Sequence, residues 1–385
     1  MTDQKRTTLA DLGLFTGVPQ HENFCRLKDL LDVVEMPSSS KPHVWPEGDP
    51  VGLPESFEFG GTRCDTEDFL TGTDTAALLV VLDGSVRIER YALTGGPEVP
   101  WLSASVAKSF VSALVGIAIA EGHIAGVADP ISAYLPVRPG SAYDGVSIED
   151  VLTMSSGARW TEDYSDPDSD VFGLLMAAVG IGSSLDDFVA TMVREIEPGT
   201  VCRYNSGDTQ VLGMLVREAT GRRVSDYMAE KLCEPLGMTS PGYWVVDPTG
   251  TELFFAGLNL TARDYAKFGE LYRNGGAWRG EQVVPADWVR DSVTFGGPHL
   301  HPGQPLVGEN RVPVGYGYQW WLPDGDRGEF TAVGVYNQFV HVDPVSGTTV
   351  VKLSANRRYG TSHEDSDNRE QETLAFLRSI AQRHR

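Results

Sequence analysis

From Ala76 to Leu93 the chain reads A-A-L-L-V-V-L-D-G-S-V-R-I-E-R-Y-A-L, two apolar runs on either side of Asp83-Gly84. Asp-Gly between such runs predicts a β-hairpin, because its tight turn wants positive φ at both central residues. The second run alternates through Val86, Ile88 and Tyr91, as a strand with one wet face does. Val106 to Glu121 is different: it is apolar nearly all round, with small residues at Ala107, Ala113, Gly116 and Ala118. A helix without a polar face must be buried on all sides. From about 124 to 250 helical patterns dominate and strands are scarce. Ser147 caps one helix, Ser184-Leu-Asp-Asp187 opens another, and Val224 to Cys233 is amphipathic. Thr261 begins a further helix through Leu271. After Asn274-Gly-Gly276, the runs Gln319 to Leu322, Phe330 to Val333, Gln338 to Val342 and Thr348 to Leu353 read as a strand meander. The chain closes on a helix from about Asp367 to Arg383. Residues 1–60, with prolines at 19, 37, 42, 46, 49 and 54, read as an irregular surface arm anchored by Trp45.

Strands near both ends with helices between predict an α/β (α+β) chain. The expected division is an N-terminal arm over 1–75, an α/β domain from 76–130 plus 255–385, and a mainly helical domain over 131–254. At 385 residues a sizeable core can be buried. The formal net charge of −22 would repel phosphate backbones and anionic membranes, so neither nucleic acid nor a membrane is an expected partner. No basic then apolar leader opens the sequence, and the longest apolar stretch, Phe110 to Ala120, is too short to span a bilayer. A cytoplasmic protein is expected. Cys25, Cys64, Cys202 and Cys233 have no C-x-x-C spacing and read as reduced, packed thiols; the eight histidines show no metal spacing. No metal and no cofactor are expected.

Candidate chemistry starts at Ser105-Val-Ala-Lys108. On a helix, positions i and i+3 share a face, with side-chain roots about 5–6 Å apart. A serine can be activated by a nearby base, and burial or a neighbouring phenol can bring a lysine into range. Tyr204, in Arg203-Tyr-Asn-Ser-Gly-Asp208, supplies such a phenol.

With these pieces the sequence resembles the serine β-lactamase and penicillin-recognising superfamily, on its class C-like side, from roughly Ala76 to Lys352. Ser105-Val-Ala-Lys108 is similar to its S-x-x-K motif and Tyr204-Asn-Ser206 to its Y-x-N or Y-x-S motif. Asp129 to Pro136, Leu152-Thr-Met-Ser-Ser-Gly157, Glu234-Pro-Leu-Gly-Met238 and Gly315 to Trp320 follow in the family's order. The resemblance implies a β-lactamase-like fold, an antiparallel sheet flanked by helices with an inserted mainly helical domain. Two departures stand out. The second motif ends in Ser206 where the antibiotic-hydrolysing branch has asparagine. The third motif, usually K-T-G or H-T-G, stands as Ala332-Val-Gly334, or in another register Val335-Tyr-Asn337, without its basic residue. That pattern resembles the 6-aminohexanoate-dimer (nylon oligomer) hydrolases and related carboxylesterases.

The resemblance implies a serine hydrolase cleaving a small amide or ester through an acyl-enzyme. Ser105, Lys108 and Tyr204 would be catalytic, and the N–H groups of Ser105 and Val335 would form the oxyanion hole. Tyr164, Ser206, Phe255 and Tyr336 would bind substrate. The alternatives are a β-lactamase or D-amino-acid peptidase, and a non-catalytic ligand-binding module of the same fold. A homodimer is left open.

Overall fold

The computed structural model describes residues 9–307 and 310–383; the first eight residues of the expected arm lie outside it. The predicted hairpin forms, with β1 (Thr75–Leu82) and β2 (Ser85–Tyr91) joined through Asp83 and Gly84 at φ 48° and 75°. A register shift between Val80 and Val81 leaves Arg87 opposite no partner, and Ile88 is the buried residue of β2. The helix expected over Val106 to Glu121 is α1 (Ala107–Ala120), preceded by one 3-10 turn, Ala104–Val106. Residues 107–118 of α1 are all buried. The middle of the chain supplies α2 (Ser206–Thr220), and Thr261 caps α3 (Ala262–Arg273) by accepting the Asp264 N–H. The meander follows as β3 (Val314–Tyr316), β4 (Trp321–Pro323), β5 (Phe330–Gly334), β6 (Gln338–Asp343) and β7 (Thr348–Ser354). The closing helix is α4 (Glu370–Gln382).

These strands make one seven-stranded antiparallel sheet in the order β3-β4-β5-β6-β7-β1-β2. Both faces are covered, which is why β1 reads as an unbroken apolar run rather than an alternating one. Leu78 and Val80 join Phe339, Val350, Phe376 and Leu377 beneath α4. Ala77, Leu79 and Val81 face the main core with Phe110, Leu114 and Phe268 of α1 and α3. The chain thus has the expected mixed α/β fold, with antiparallel sheet and flanking helices.

The arm expected over 1–60 needs correction. Val33–Met36 pairs with Gly242–Val245 in a second, four-stranded sheet completed by Leu258–Leu260 and Trp101–Leu102. Ser56–Phe59 and Thr62–Asp65 form a hairpin. The prolines break the segment into short pieces without keeping those pieces out of the sheets. Trp45 does anchor it, being buried with its Nε1 donating to the Arg263 carbonyl (3.0 Å). In the meander, Gln319 and Trp320 fall outside the strand read there: Gln319 takes φ 62°, and the strand begins at Trp321. All four cysteines are free thiols. Among the described residues no helix is long and apolar enough to cross a membrane.

Candidate active site

The small sheet delivers the serine. Trp101 and Leu102 pair with Leu260 and Asn259, and the Ser103 N–H donates to the Leu258 carbonyl (2.8 Å). Ala104 then takes φ 43°, a left-handed conformation that a side-chain-bearing residue adopts only under constraint. The chain turns there, and Ser105 stands at the mouth of α1, 7% exposed. Strand β5 passes alongside. A Cβ on Gly334 would lie 2.5 Å from the Ser103 carbonyl oxygen and 3.0 Å from the Ser105 nitrogen. Only glycine fits such an approach. Of the two registers read for the third motif, this contact favours the one ending at Gly334, with Val335 next to it.

The loop that follows is held from inside. Tyr336 and Asn337 have φ 64° and 66°. The buried Gln338 side chain donates to the carbonyls of Val335 (3.2 Å), Tyr336 (3.2 Å) and Ser354 (2.6 Å), and accepts the Ser354 N–H. Neither 332–337 nor its partner strand β6 up to Val340 carries a cation.

Lys108, one helical turn past Ser105, is wholly buried. Its Nζ donates to Ser206 Oγ (2.9 Å) and the Phe255 carbonyl (3.2 Å), and lies over the rings of Tyr204 and Phe255. Burial disfavours the ammonium and brings its pKa down to about 8, with Glu162 and Asp208 pulling back upward. Roughly a tenth of the lysine is then neutral at pH 7. Ser206 Oγ passes the contact on to Glu162 Oε1 (2.7 Å), and the Ser206 N–H donates to Glu162 Oε2 (2.9 Å).

Tyr204 is set by two anchors. Its N–H donates to the Leu306 carbonyl (2.8 Å), and its ring packs against Tyr316 and Trp321. Ser105 is close enough to its hydroxyl to bear on the phenol's ionisation. Burial and the nearby Glu162 push the phenol pKa well up, so the resting tyrosine is neutral. Asn205 caps α2 by accepting the Gly207 and Asp208 N–H groups, which turns Tyr204 toward α1 and Ser206 toward Lys108.

Ser105, Lys108, Tyr204, Ser206 and Phe255 therefore meet in one place, with Gly334-Val335 at its edge. Ser206, read as a substrate contact, is fully buried between Lys108 and Glu162. Tyr164 places its hydroxyl on Glu162 Oε1 (2.8 Å), one residue away from the serine and lysine pair. Tyr336 is buried, and its hydroxyl accepts the N–H of Phe15 (2.7 Å).

Three contributors were not read from the sequence. Glu162 holds Ser206, Tyr164 and the Trp160 indole (2.8 Å). Asp208 is fully buried; its Oδ1 accepts from Ser156, Tyr143 and Asn205, its Oδ2 has no partner, and burial raises its pKa to about 7. Phe15 comes from the N-terminal segment. Asp208 stands two residues past the second motif and Glu162 two residues before Tyr164, so proximity to motifs was the available signal. Phe15 had none. Among the described residues no group of three or more His, Cys, Asp or Glu is arranged to hold a metal ion. His299 instead bonds Ser155 Oγ (3.1 Å).

Comparison with known proteins gives three kinds of match. The Beta-lactamase family model matches residues 66–375. A 6-aminohexanoate-dimer hydrolase of Paenarthrobacter ureafaciens is 33% identical over 298 residues, covering 76% of this chain and 75% of that protein. A provisionally named 6-aminohexanoate-dimer hydrolase from Bacillus anthracis superposes with TM-score 0.83 at 22% identity, over 95% of each chain. EstCE1, a hydrolase with promiscuous acyltransferase activity, superposes at TM-score 0.64 and 18% identity, over 82% of this chain and 96% of its own.

Proposed function

Because the chain belongs to the Beta-lactamase family and is a serine hydrolase of that superfamily, we propose that it cleaves a small amide or ester through an acyl-enzyme on Ser105. The observation that carries this reading is a buried Lys108 whose pKa is brought down to about 8, one helical turn from Ser105 and with its Nζ 5.2 Å over the ring of a neutral Tyr204.

The steps follow from those protonation states. The neutral fraction of Lys108 takes the Ser105 proton, with the Tyr204 hydroxyl able to relay it, as Oγ attacks the carbonyl carbon. The oxyanion is received by the N–H groups of Ser105 and Val335. Collapse breaks the bond to the leaving amine or alcohol, which leaves with a proton from Tyr204. Water then adds to the acyl carbon, gives its proton back through the same groups, and Ser105 is regenerated with release of the acid.

The 6-aminohexanoate-dimer hydrolase match, and the absence of a cation across 332–337, support an uncharged-edge amide or ester substrate over a β-lactam. Acid-quenching a reaction with a p-nitrophenyl ester and mapping the adduct by mass spectrometry should place the acyl group on the peptide containing Ser105. In a panel with 6-aminohexanoate dimer, nitrocefin and D-amino-acid peptides, the linear amide should turn over and nitrocefin should not. Faster nitrocefin turnover would move the assignment to a β-lactamase.

Gly334→Ala supplies a second check. Its methyl would press on the Ser103 carbonyl and the Ser105 nitrogen, displacing the two N–H groups from each other. The expected loss in kcat is about 10²–10³-fold, the cost of one misplaced oxyanion donor. A variant with wild-type kcat would remove β5 from the oxyanion hole.

A further inference from the structure

The N-terminal segment does more than cover the surface. After the helix Leu9–Leu12 it turns through Gly13, Phe15 and Gly17, all in the left-handed region at φ 65°, 59° and 85°. Gln20, wholly buried, staples this loop: its Nε2 donates to the carbonyls of Leu12 (2.8 Å), Gly13 (3.0 Å) and Val18 (3.2 Å). Asn23 adds a bond to Leu12 (3.2 Å) and another to Gln20 Oε1 (2.9 Å). The product of the staple is the direction of one side chain. The Phe15 ring stacks between Tyr164 (4.7 Å between centroids) and Tyr336 (5.2 Å), with Phe172 edge-on (5.8 Å). Its N–H is fixed to the Tyr336 hydroxyl.

Those partners connect it to the chemistry. Tyr336 follows Val335, and Tyr164 bonds Glu162, which holds Ser206 and through it Lys108. Tyr164 and Tyr359 both lie within electrostatic range of the Tyr204 hydroxyl. In the proposed mechanism Tyr204 hands a proton to the leaving atom, which assigns this aromatic wall to the side where the leaving group departs. Phe255, whose ring lies against the Lys108 Nζ, is not among the rings that Phe15 stacks on. Two features argue against Phe15 as a mere packing anchor. A side-chain-bearing residue in the left-handed region is a constraint that simple anchoring does not require. The residue also stays partly exposed although its ring is stacked on Tyr164 and Tyr336.

We propose that Phe15 is a specificity-determining residue: it forms the outer wall of the leaving-group side of the cleft and limits that side to slender, unbranched leaving groups. The proposal rests on the serine-hydrolase reading of Ser105 and Tyr204.

The test compares phenyl acetate with 1-naphthyl acetate, which share an acyl group and differ in leaving-group width. In Phe15→Ala the naphthyl-to-phenyl ratio of kcat/KM should rise by about ten-fold or more, the scale on which pockets discriminate size, with Phe15→Leu between it and wild type. The ratio between p-nitrophenyl acetate and hexanoate, which reads the acyl side, should stay as in wild type. An unchanged naphthyl-to-phenyl ratio in both variants overturns the proposal. So does a parallel loss on all four esters with a lowered melting temperature, which would make Phe15 structural. Turnover of these esters in Ser105→Ala would instead overturn the underlying reading, so the two failures are told apart.

Discussion

Ser105→Ala is expected to lower kcat by about 10⁴-fold or more while the protein stays folded. The neighbourhood offers a rival, which makes the result informative. Ser206, not Ser105, accepts the hydrogen bond from Lys108 Nζ at 2.9 Å. Yet Ser206 Oγ donates to Glu162 at 2.7 Å, is fully buried, and sits behind the lysine where no substrate carbonyl can reach it. Ser109 is also excluded, being buried and bonded to the Gln319 carbonyl (2.7 Å). Of the three serines only Ser105 keeps some exposure, 7% against 1% for Ser109 and 0% for Ser206, and only its N–H lies beside Gly334. A fluorophosphonate should therefore label the wild type and Ser206→Ala but not Ser105→Ala. Removing the hydroxyl trims one small polar group at the mouth of α1, so a urea titration should show only a small change. Wild-type turnover in Ser105→Ala would place the nucleophile elsewhere.

How far these residues could be read in advance depended on how they are held together. Ser105 and Lys108 are one helical turn apart, so spacing alone put them on one face. Tyr204 lies about a hundred residues on and was found because Tyr204-Asn-Ser206 resembles a motif; no periodicity points to it. The hairpin at Asp83-Gly84 and the buried helix α1 were legible for local reasons, turn chemistry and an apolar surface all round. What local pattern cannot carry is pairing across the chain. Val33–Met36 becomes a strand only because Gly242–Val245 offers it an edge. No local pattern marks Glu162; its place comes from Ser206, Tyr164 and Trp160, which all bond to it. Phe15 owes its place to Gln20 and to three aromatic rings contributed from elsewhere in the chain.

Lys108→Met carries the second large effect, and it reads in two directions at once. Activity should fall by about 10²–10⁴-fold, the usual contribution of a positioned base. In the wild type, kcat/KM should rise with pH through about 8 and level off, because only the neutral amine accepts the Ser105 proton. That limb should vanish in the variant. Glu162→Gln should move it to lower pH, since the Glu162 charge holds the lysine pKa up. Stability should respond with the opposite sign. The folded pKa of about 8 lies below the 10.5 of the exposed side chain, so the fold carries its full penalty for burying an ammonium below pH 8. That penalty fades as pH rises toward 10.5, where both states are neutral, and its size is about 3 kcal/mol. Methionine fills similar volume without the charge. Urea unfolding should thus show the variant gaining on the wild type most at pH 7, with the advantage shrinking between pH 8 and 10.5 by about 3 kcal/mol or less, offset by the bonds to Ser206 and Phe255 that it gives up. Parallel stability curves across that window would mean that Lys108 is not held as a strained, partly neutral base. A loss of activity together with the predicted convergence would tie the cost of burying this lysine to its chemistry, the trade between stability and function expected where a site is built around a desolvated charge.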